Sequence, residues 1–143
     1  MEILNELNKL LKKHDYNVEI QSLLTSKMLI VSKVNDETLP FTLAIGTYPK
    51  EEEGEESTFL QFYFQYTVDI NQKKLLNLNE TIISQNKLLP IGHFGINNED
   101  NYLFYKYILV TSEKNMAEST ILTVMNMVLY IMQAMLPPIT DEL

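Results

Sequence analysis

Residues 71–111, NQKKLLNLNETIISQNKLLPIGHFGINNEDNYLFYKYILVT, decide the fold of this chain. Leucines and isoleucines recur at helical spacing in the first half, and the second half contains two apolar segments, residues 91–97 and 102–111. The polar residues 98–101 separate those segments and are typical of a hairpin turn. The stretch therefore predicts a helix followed by a β-hairpin. Because both faces of the second hairpin strand are largely apolar, we expect that strand to be covered on both sides.

The helix predicted within this stretch spans residues 72–85. Asp69 is placed to cap its first turn, and Pro90 follows its end, where a proline cannot continue a helix. Leucines and isoleucines on one face form its predicted buried set. They are Leu75, Leu76, Leu78, Ile82 and Ile83.

Strand patterns occupy much of the chain before that helix. Apolar and polar residues alternate in residues 58–68, and shorter extended patterns occur in residues 27–34 and 41–48. Pro40 is expected to fix the start of the strand at residues 41–48. An alternating pattern in residues 17–24 indicates an extra short strand.

Helices are also predicted at the two ends of the chain. The first spans residues 3–14, and the last begins near Asn115, with Glu118 at capping-box spacing, and runs to Leu136 before two prolines. The predicted fold class is α+β. An antiparallel β-sheet is flanked by helices in the order α-β-β-β-α-β-β-α, with the extra strand inserted after the first helix. A length of 143 residues fits a single domain over residues 1–143.

The chain is acidic, with a formal net charge of −8 and a pI near 4.7. This charge opposes binding to nucleic acid and to anionic membranes, because both need clustered lysine and arginine. The absence of cysteine excludes disulfides and thiolate metal sites. The first residues have an amphipathic pattern that differs from a signal peptide, so we expect a cytoplasmic protein.

Residues with catalytic or metal-binding chemistry are scarce in the sequence. His14 ends the first helix, and His93 has no Cys, Asp or Glu at a metal-ligand spacing. Gly92 and Gly95 indicate a bulge or a close backbone approach, because an RNA-clamping loop would join helices and carry basic residues. We therefore expect no catalytic residues, no metal and no cofactor.

A surplus of apolar side chains is the strongest functional feature of the sequence. The second face of the strand at residues 58–68 carries Phe59 and Tyr63 instead of charged residues. The last helix has an apolar stripe wider than the roughly 100° that packing on one sheet requires. That width predicts either contact with a partner, through Met127 and Ile131, or burial between the sheet and the first helix. The predicted protein-contact surface comprises Phe59, Tyr63, Met127 and Ile131.

Over nearly its whole length the chain resembles the YbjN family and the related type III secretion chaperones. The likeness is carried by the order of the elements and by LLNLNETIISQNKLLPIGHFGINNEDNYLFYKYILV, in which Asn79, Gly92 and Phe94 are the matching positions. The resemblance implies an acidic, non-enzymatic α+β domain that binds protein. In the chaperone branch it also implies a homodimer that holds an unfolded effector segment.

Two segments depart from the family pattern: the strand predicted within residues 17–24, and the acidic residues 50–57. The acidic segment is most simply a solvated connection between strands. It also leaves open a second interpretation, an immunity or inhibitor protein that caps a basic partner through electrostatic steering. A third interpretation is an enzyme or small-ligand sensor with a pocket between the helices and the sheet around His93 and Tyr105.

Overall fold

The computed structural model describes residues 2–23, 26–47, 57–69, 71–112 and 116–143. These residues form helices and strands in an order that confirms the predicted α+β class. The elements are α1 Glu2–Lys13, β1 Tyr16–Leu23, β2 Ser26–Val34, β3 Glu37–Thr47, β4 Ser57–Thr67, a 3₁₀ turn Gln72–Lys74, α2 Leu75–Leu88, β5 His93–Asn97, β6 Tyr102–Ser112, α3 Glu118–Tyr130, a π-helical turn Ile131–Met135 and α4 Pro137–Thr140.

The strands form one antiparallel sheet of six strands in the order β1-β2-β3-β4-β6-β5. The extra strand that the sequence indicated is present as β1, and it pairs with β2 from Tyr16 to Leu23. β4 lies in the interior of the sheet and pairs with β6 from Ser57 to Thr67. Because β4 and β6 are joined through α2 and β5, the helix and hairpin of residues 71–111 place the last two strands at one end of the sheet.

One face of the sheet is buried beneath the helices. On β4 the buried side chains of Leu60, Phe62 and Phe64 alternate with more exposed ones. Their neighbours across the sheet include Ile45 on β3 and Tyr105 on β6, which are also fully buried. The same hydrophobic cluster contains side chains from α1, α2, α3 and α4. The helices therefore cover this one face, which we call the core face.

Pro40 does not begin β3, as the sequence predicted, because the strand already starts at Glu37. The register passes from Val31–Leu43 to Lys33–Thr38, so four residues of β3 face a single residue of β2. Pro40 lies in this wide bulge, where the ladder needs no N–H donor from it.

Helix α2 differs from the prediction at its start and in its buried face. Asn71, not Asp69, caps the preceding 3₁₀ turn, because its side chain accepts a hydrogen bond from the Lys73 amide at 3.0 Å. Of the predicted buried set, Leu76 and Ile83 are instead 70% and 56% exposed. The helix contacts β5 and α4 near one end of the sheet, so only a narrow side of it is covered.

The last helical stretch extends further than the sequence predicted. The predicted cap at Asn115 lies outside the described residues, and α3 is assigned from Glu118. A π-helical turn follows, in which the Leu136 amide donates to the Ile131 carbonyl. The two prolines then open another helical turn instead of ending the helix, since a proline is tolerated in a first turn.

The stretch Glu118–Thr140 has the length and hydropathy of a membrane span. In the fold, 44% of its most apolar window is buried, and Ile121 and Val128 are fully covered by the core. A core helix passes the same test of composition. Most of the large aliphatic side chains of the predicted stripe are buried in the core, namely Ile121, Val124, Met125, Val128, Ile131, Met132 and Leu136. This supports burial, the alternative that the sequence left open, for most of the stripe.

Candidate functional site

The face of the sheet opposite the core face is not covered by the described helices. We call it the open face. Its side chains alternate along each strand with the buried ones, so the strand register places them in common rows across the sheet. Its principal side chains are Met28, Ile30, Ala44, Phe59, Gln61, Tyr63, Gln65, His93, Asn97, Tyr102, Phe104, Lys106, Ile108 and Val110.

The open face carries few charges. β4 contains no charged residue, and Lys106 is the only one in β6. β5 contains no acidic residue, and on β1 the open face carries Glu19. In a chain with 19 acidic residues, a face that is merely solvated would be expected to carry more of them. The composition of the open face therefore favours contact with another molecule.

Three adjacent apolar side chains are exposed on the open face. Phe59 lies opposite Val110 in the β4–β6 register, and Ile108 is the next residue of β6 on that face. Their exposed fractions are 43% for Phe59, 60% for Val110 and 37% for Ile108. We call these three residues the apolar patch. They form a continuous hydrophobic surface of the kind that marks a protein contact.

Aromatic side chains occupy the next part of the open face. The Tyr63 and Phe104 rings are stacked with centroids 6.2 Å apart, and His93 meets Phe104 edge-on at 6.0 Å. The Tyr63 hydroxyl donates to Gln65 Oε1 at 2.8 Å. Burial, and next the neighbouring Tyr102 hydroxyl, raise the pKa of Tyr63 above its ordinary value. Tyr63 therefore presents a neutral hydroxyl beside a fixed aromatic surface.

Gly92 lies just before β5 and Gly95 lies within it. Both have the structural role that the sequence predicted, a close approach of other atoms to the backbone. A Cβ on Gly95 would lie 2.4 Å from the Phe104 ring, so the ring covers the bare backbone. Gly92 has a φ of 72°, and a Cβ there would lie 2.4 Å from the Tyr105 hydroxyl. That hydroxyl donates to the Ile91 carbonyl at 2.8 Å. Burial, with a smaller effect from Tyr107, raises the pKa of Tyr105 far above its ordinary value.

His93 and Tyr105 lie on opposite faces of the sheet, so the third interpretation is wrong in placing both residues around one pocket. His93 is opposite Lys106 on the open face, whereas Tyr105 is fully buried on the core face. The alternation of side chains along a strand separates them, because residues 93 and 105 have Cα positions one register step apart. Within the described ranges, no group of three or more His, Cys, Asp or Glu residues could hold a metal ion.

The predicted contact residues have different positions in the structure. Phe59 and Tyr63 lie on the open face, and Met127 on α3 is 36% exposed. Ile131 is fully buried, so its place in the contact surface is wrong. It follows Val128 by three residues and therefore falls on the buried side of the helix, where it packs in the core.

Ile108 and Val110 were missed as contact residues. The sequence predicted that both faces of β6 would be covered. β6 does lie between two strands, but Ile108 and Val110 on its open face are exposed. Their apolar character was visible in the sequence. Their position beside Phe59 follows only from the pairing of β4 with β6. The acidic segment of the immunity interpretation lies outside the described residues, apart from the β4 residue Ser57.

No family model matches this chain, and no curated protein matches it.

Proposed function

We propose that this protein is a non-enzymatic, cytoplasmic protein-binding domain, chaperone-like or regulatory, that holds a partner polypeptide on the open face. One observation carries the proposal. Phe59, Ile108 and Val110 form an exposed apolar patch on a sheet face that bears few charges, in a chain with a net charge of −8. The resemblance to YbjN proteins and secretion chaperones points to the same class of function.

Binding would be driven by removal of this apolar surface from water. The free-energy gain is about 25 cal/mol for each Å² of apolar surface buried. The amides and hydroxyls around the patch, such as Gln65 and Tyr63, would supply hydrogen bonds at the edge of the contact. Repulsion between acidic surfaces would keep free copies soluble.

The test is to isolate, from the native host, the proteins that bind to each of three forms of this chain. The wild type is compared with the double variant Ile108→Thr/Val110→Thr, which removes apolar surface while keeping β-branched residues. Leu88→Ser is the matched control, because Leu88 is 69% exposed but lies on α2, outside the open face. We expect the wild type and the control to retain the same polypeptide and the double variant to lose it. Equal retention by all three proteins would contradict the proposal.

A homodimer forms part of the same proposal, on the strength of the resemblance. The outer side of α2 exposes Leu76 and Ile83, two turns apart, and offers an apolar surface separate from the open face. Light scattering should give twice the mass of one chain for the wild type. The double variant Leu76→Glu/Ile83→Glu should give the mass of one chain. A wild type that stays monomeric at high concentration would exclude the dimer.

A further inference from the structure

A shallow cavity of about 120 Å³ lies on the open face over β3. Its floor is formed by Ala44 and Gly46, and Met28, Gln61 and Tyr63 rise beside it. It exists because β3 carries very small side chains where both neighbouring strands carry larger ones. Among the residues that the structure describes, Ser26, Lys27 and Thr47 complete the lining.

The cavity is adjacent to the apolar patch. In the register, Gly46 is paired with Gln61, and Gln61 is paired with Ile108. Gly46 and Ile108 are thus two strands apart, a separation of roughly 10 Å at about 4.8 Å for each strand. A single bound segment can therefore cover the patch and reach the cavity at the same time.

The dimensions of the cavity indicate what it can accept. Drug-sized ligands and cofactors occupy pockets of roughly 300–1,000 Å³, so 120 Å³ is too small for them. A cavity of about 150 Å³ holds one benzene molecule, so this one has room for one aliphatic side chain. The methionine, alanine and tyrosine lining suits such a group, and Lys27 is the only charged residue among the described residues of the lining.

We propose that this cavity is an anchor pocket that receives one uncharged aliphatic side chain, Leu, Ile, Val or Met, of the partner polypeptide. This inference rests on the proposed function and adds the chemistry of the bound segment. The few charges of the open face select an uncharged segment at the anchor. The net charge of −8 favours basic residues on either side of it.

Gly46 allows the pocket to be filled without disturbing the fold. Among the described residues, a Cβ at this position would meet only Met28, at 3.8 Å from its Cβ and 4.0 Å from its Cε, which are ordinary van der Waals contacts. The side chains of Gly46→Ala and Gly46→Val therefore occupy the cavity in the free protein. Valine is also a better strand former than glycine, so we expect the variants to be at least as stable as the wild type.

The experiment uses a phage-displayed library of random 16-residue peptides, selected on the wild-type protein. Selected peptides are synthesised, and calorimetry measures their affinity for the wild type, Gly46→Ala, Gly46→Val and the double variant Ile108→Thr/Val110→Thr. Thr67→Val serves as the matched control, because Thr67 is an exposed residue of β4 that does not line the cavity.

We expect Gly46→Val to bind about 10- to 100-fold more weakly, the effect of excluding one aliphatic side chain, and Gly46→Ala to lose less. Replacing the anchor residue of the peptide by alanine should weaken binding to the wild type but not further weaken binding to Gly46→Val. Thr67→Val should bind like the wild type.

The results of this experiment distinguish failure of the anchor pocket from failure of the proposed function. If peptides lose binding to the double variant but bind Gly46→Val as tightly as the wild type, the anchor pocket is overturned and the proposed function stands. If the double variant binds the selected peptides like the wild type, the proposed function is overturned together with the pocket. An equal loss in Thr67→Val would also overturn the pocket, because the effect would not depend on its volume.

Discussion

Phe59 and Phe62 lie three residues apart on β4 and have opposite surroundings. Phe62 is fully buried on the core face beside Ile45, whereas Phe59 is 43% exposed on the open face beside Val110. The same residue type therefore serves two purposes on one strand. What differs is the cover: a layer of helices on one side and, among the described residues, none on the other.

This difference explains why apolar content alone does not define the core. A two-layer domain buries only one face of its sheet, so the other face is normally polar. Here the open face instead carries aromatic, aliphatic and amide side chains with few charges. We interpret the core face as the surface that folds the chain and the open face as the surface that is available to a partner.

The largest expected effect comes from exchanging the two phenylalanines for alanine in turn. Phe62→Ala should lower the free energy of unfolding by about 3–5 kcal/mol, because it leaves a cavity in the core. Phe59→Ala should change it by less than about 1 kcal/mol, since its ring is partly in water already. Urea denaturation measures both values. Equal losses would show that the two faces are covered to the same extent.

The second prediction concerns the bonds that hold the helix layer to the edge of the sheet. Asn86 on α2 accepts a hydrogen bond from the Phe94 amide at 2.7 Å and donates one to the Phe94 carbonyl at 3.0 Å. Asn86→Ala should cost about 1–3 kcal/mol, because a partly buried amide loses its acceptor. Hydrogen exchange of the Phe94 amide should accelerate. Ser84→Ala, at an exposed position of α2, is the control and should leave that exchange rate unchanged.

The third prediction compares two glycines of the open face. Gly95→Ala should lower stability by about 0.5–1.5 kcal/mol, because the new methyl displaces the Phe104 ring from its stack with Tyr63. Gly46→Ala should raise stability by about 0.4–1 kcal/mol, because it restricts the unfolded chain without a clash. Thermal unfolding of both variants shows whether each one is less or more stable than the wild type. Changes of the same sign would contradict the steric distinction between the two positions.

The smallest expected effect is at the junction of α1 with α3 in the helix layer. His14 Nε2 lies 3.1 Å from Glu118 Oε1, and Lys13 Nζ lies 3.7 Å from the same oxygen. The hydrogen bond with His14, and next the charge of Lys13, lower the pKa of Glu118 below its usual 4.5. The stabilising contribution of Glu118 should therefore be present above pH 4.5 and be lost as the pH falls through the lowered pKa.

Comparing the wild type with Glu118→Gln over this pH range tests that contribution. The wild type should be slightly more stable above pH 4.5, and the difference should disappear in more acidic solution. A difference that persists unchanged at low pH would exclude ionisation of Glu118 as its cause.

The local elements could be predicted from the sequence because their periodicities are local. The alternation in β4, the extra strand β1 and the helix before the hairpin all follow from neighbouring residues. The bulge at Pro40 could not be predicted, because it depends on the register with β2. The exposure of Leu76 likewise depends on how much of α2 the rest of the fold covers.

The candidate site was only half predictable for the same reason. Phe59 and Tyr63 stood out because they occupy an uncharged second face within one strand. Ile108 and Val110 belong to a different strand, and their side chains join Phe59 only through long-range pairing. The prediction of Ile131 as a contact residue was wrong, because the side of a helix that meets the core is set by the packing of the whole domain.

The amide of Asn86 contacts Phe94 as an adjacent strand would, with one donated and one accepted hydrogen bond. β5 is the last strand at its end of the sheet, and the backbone groups of such a strand ordinarily invite pairing with another chain. At Phe94 both groups are already occupied. Growth of the sheet from this end, including the first step of an ordered aggregate, would require α2 to release the strand.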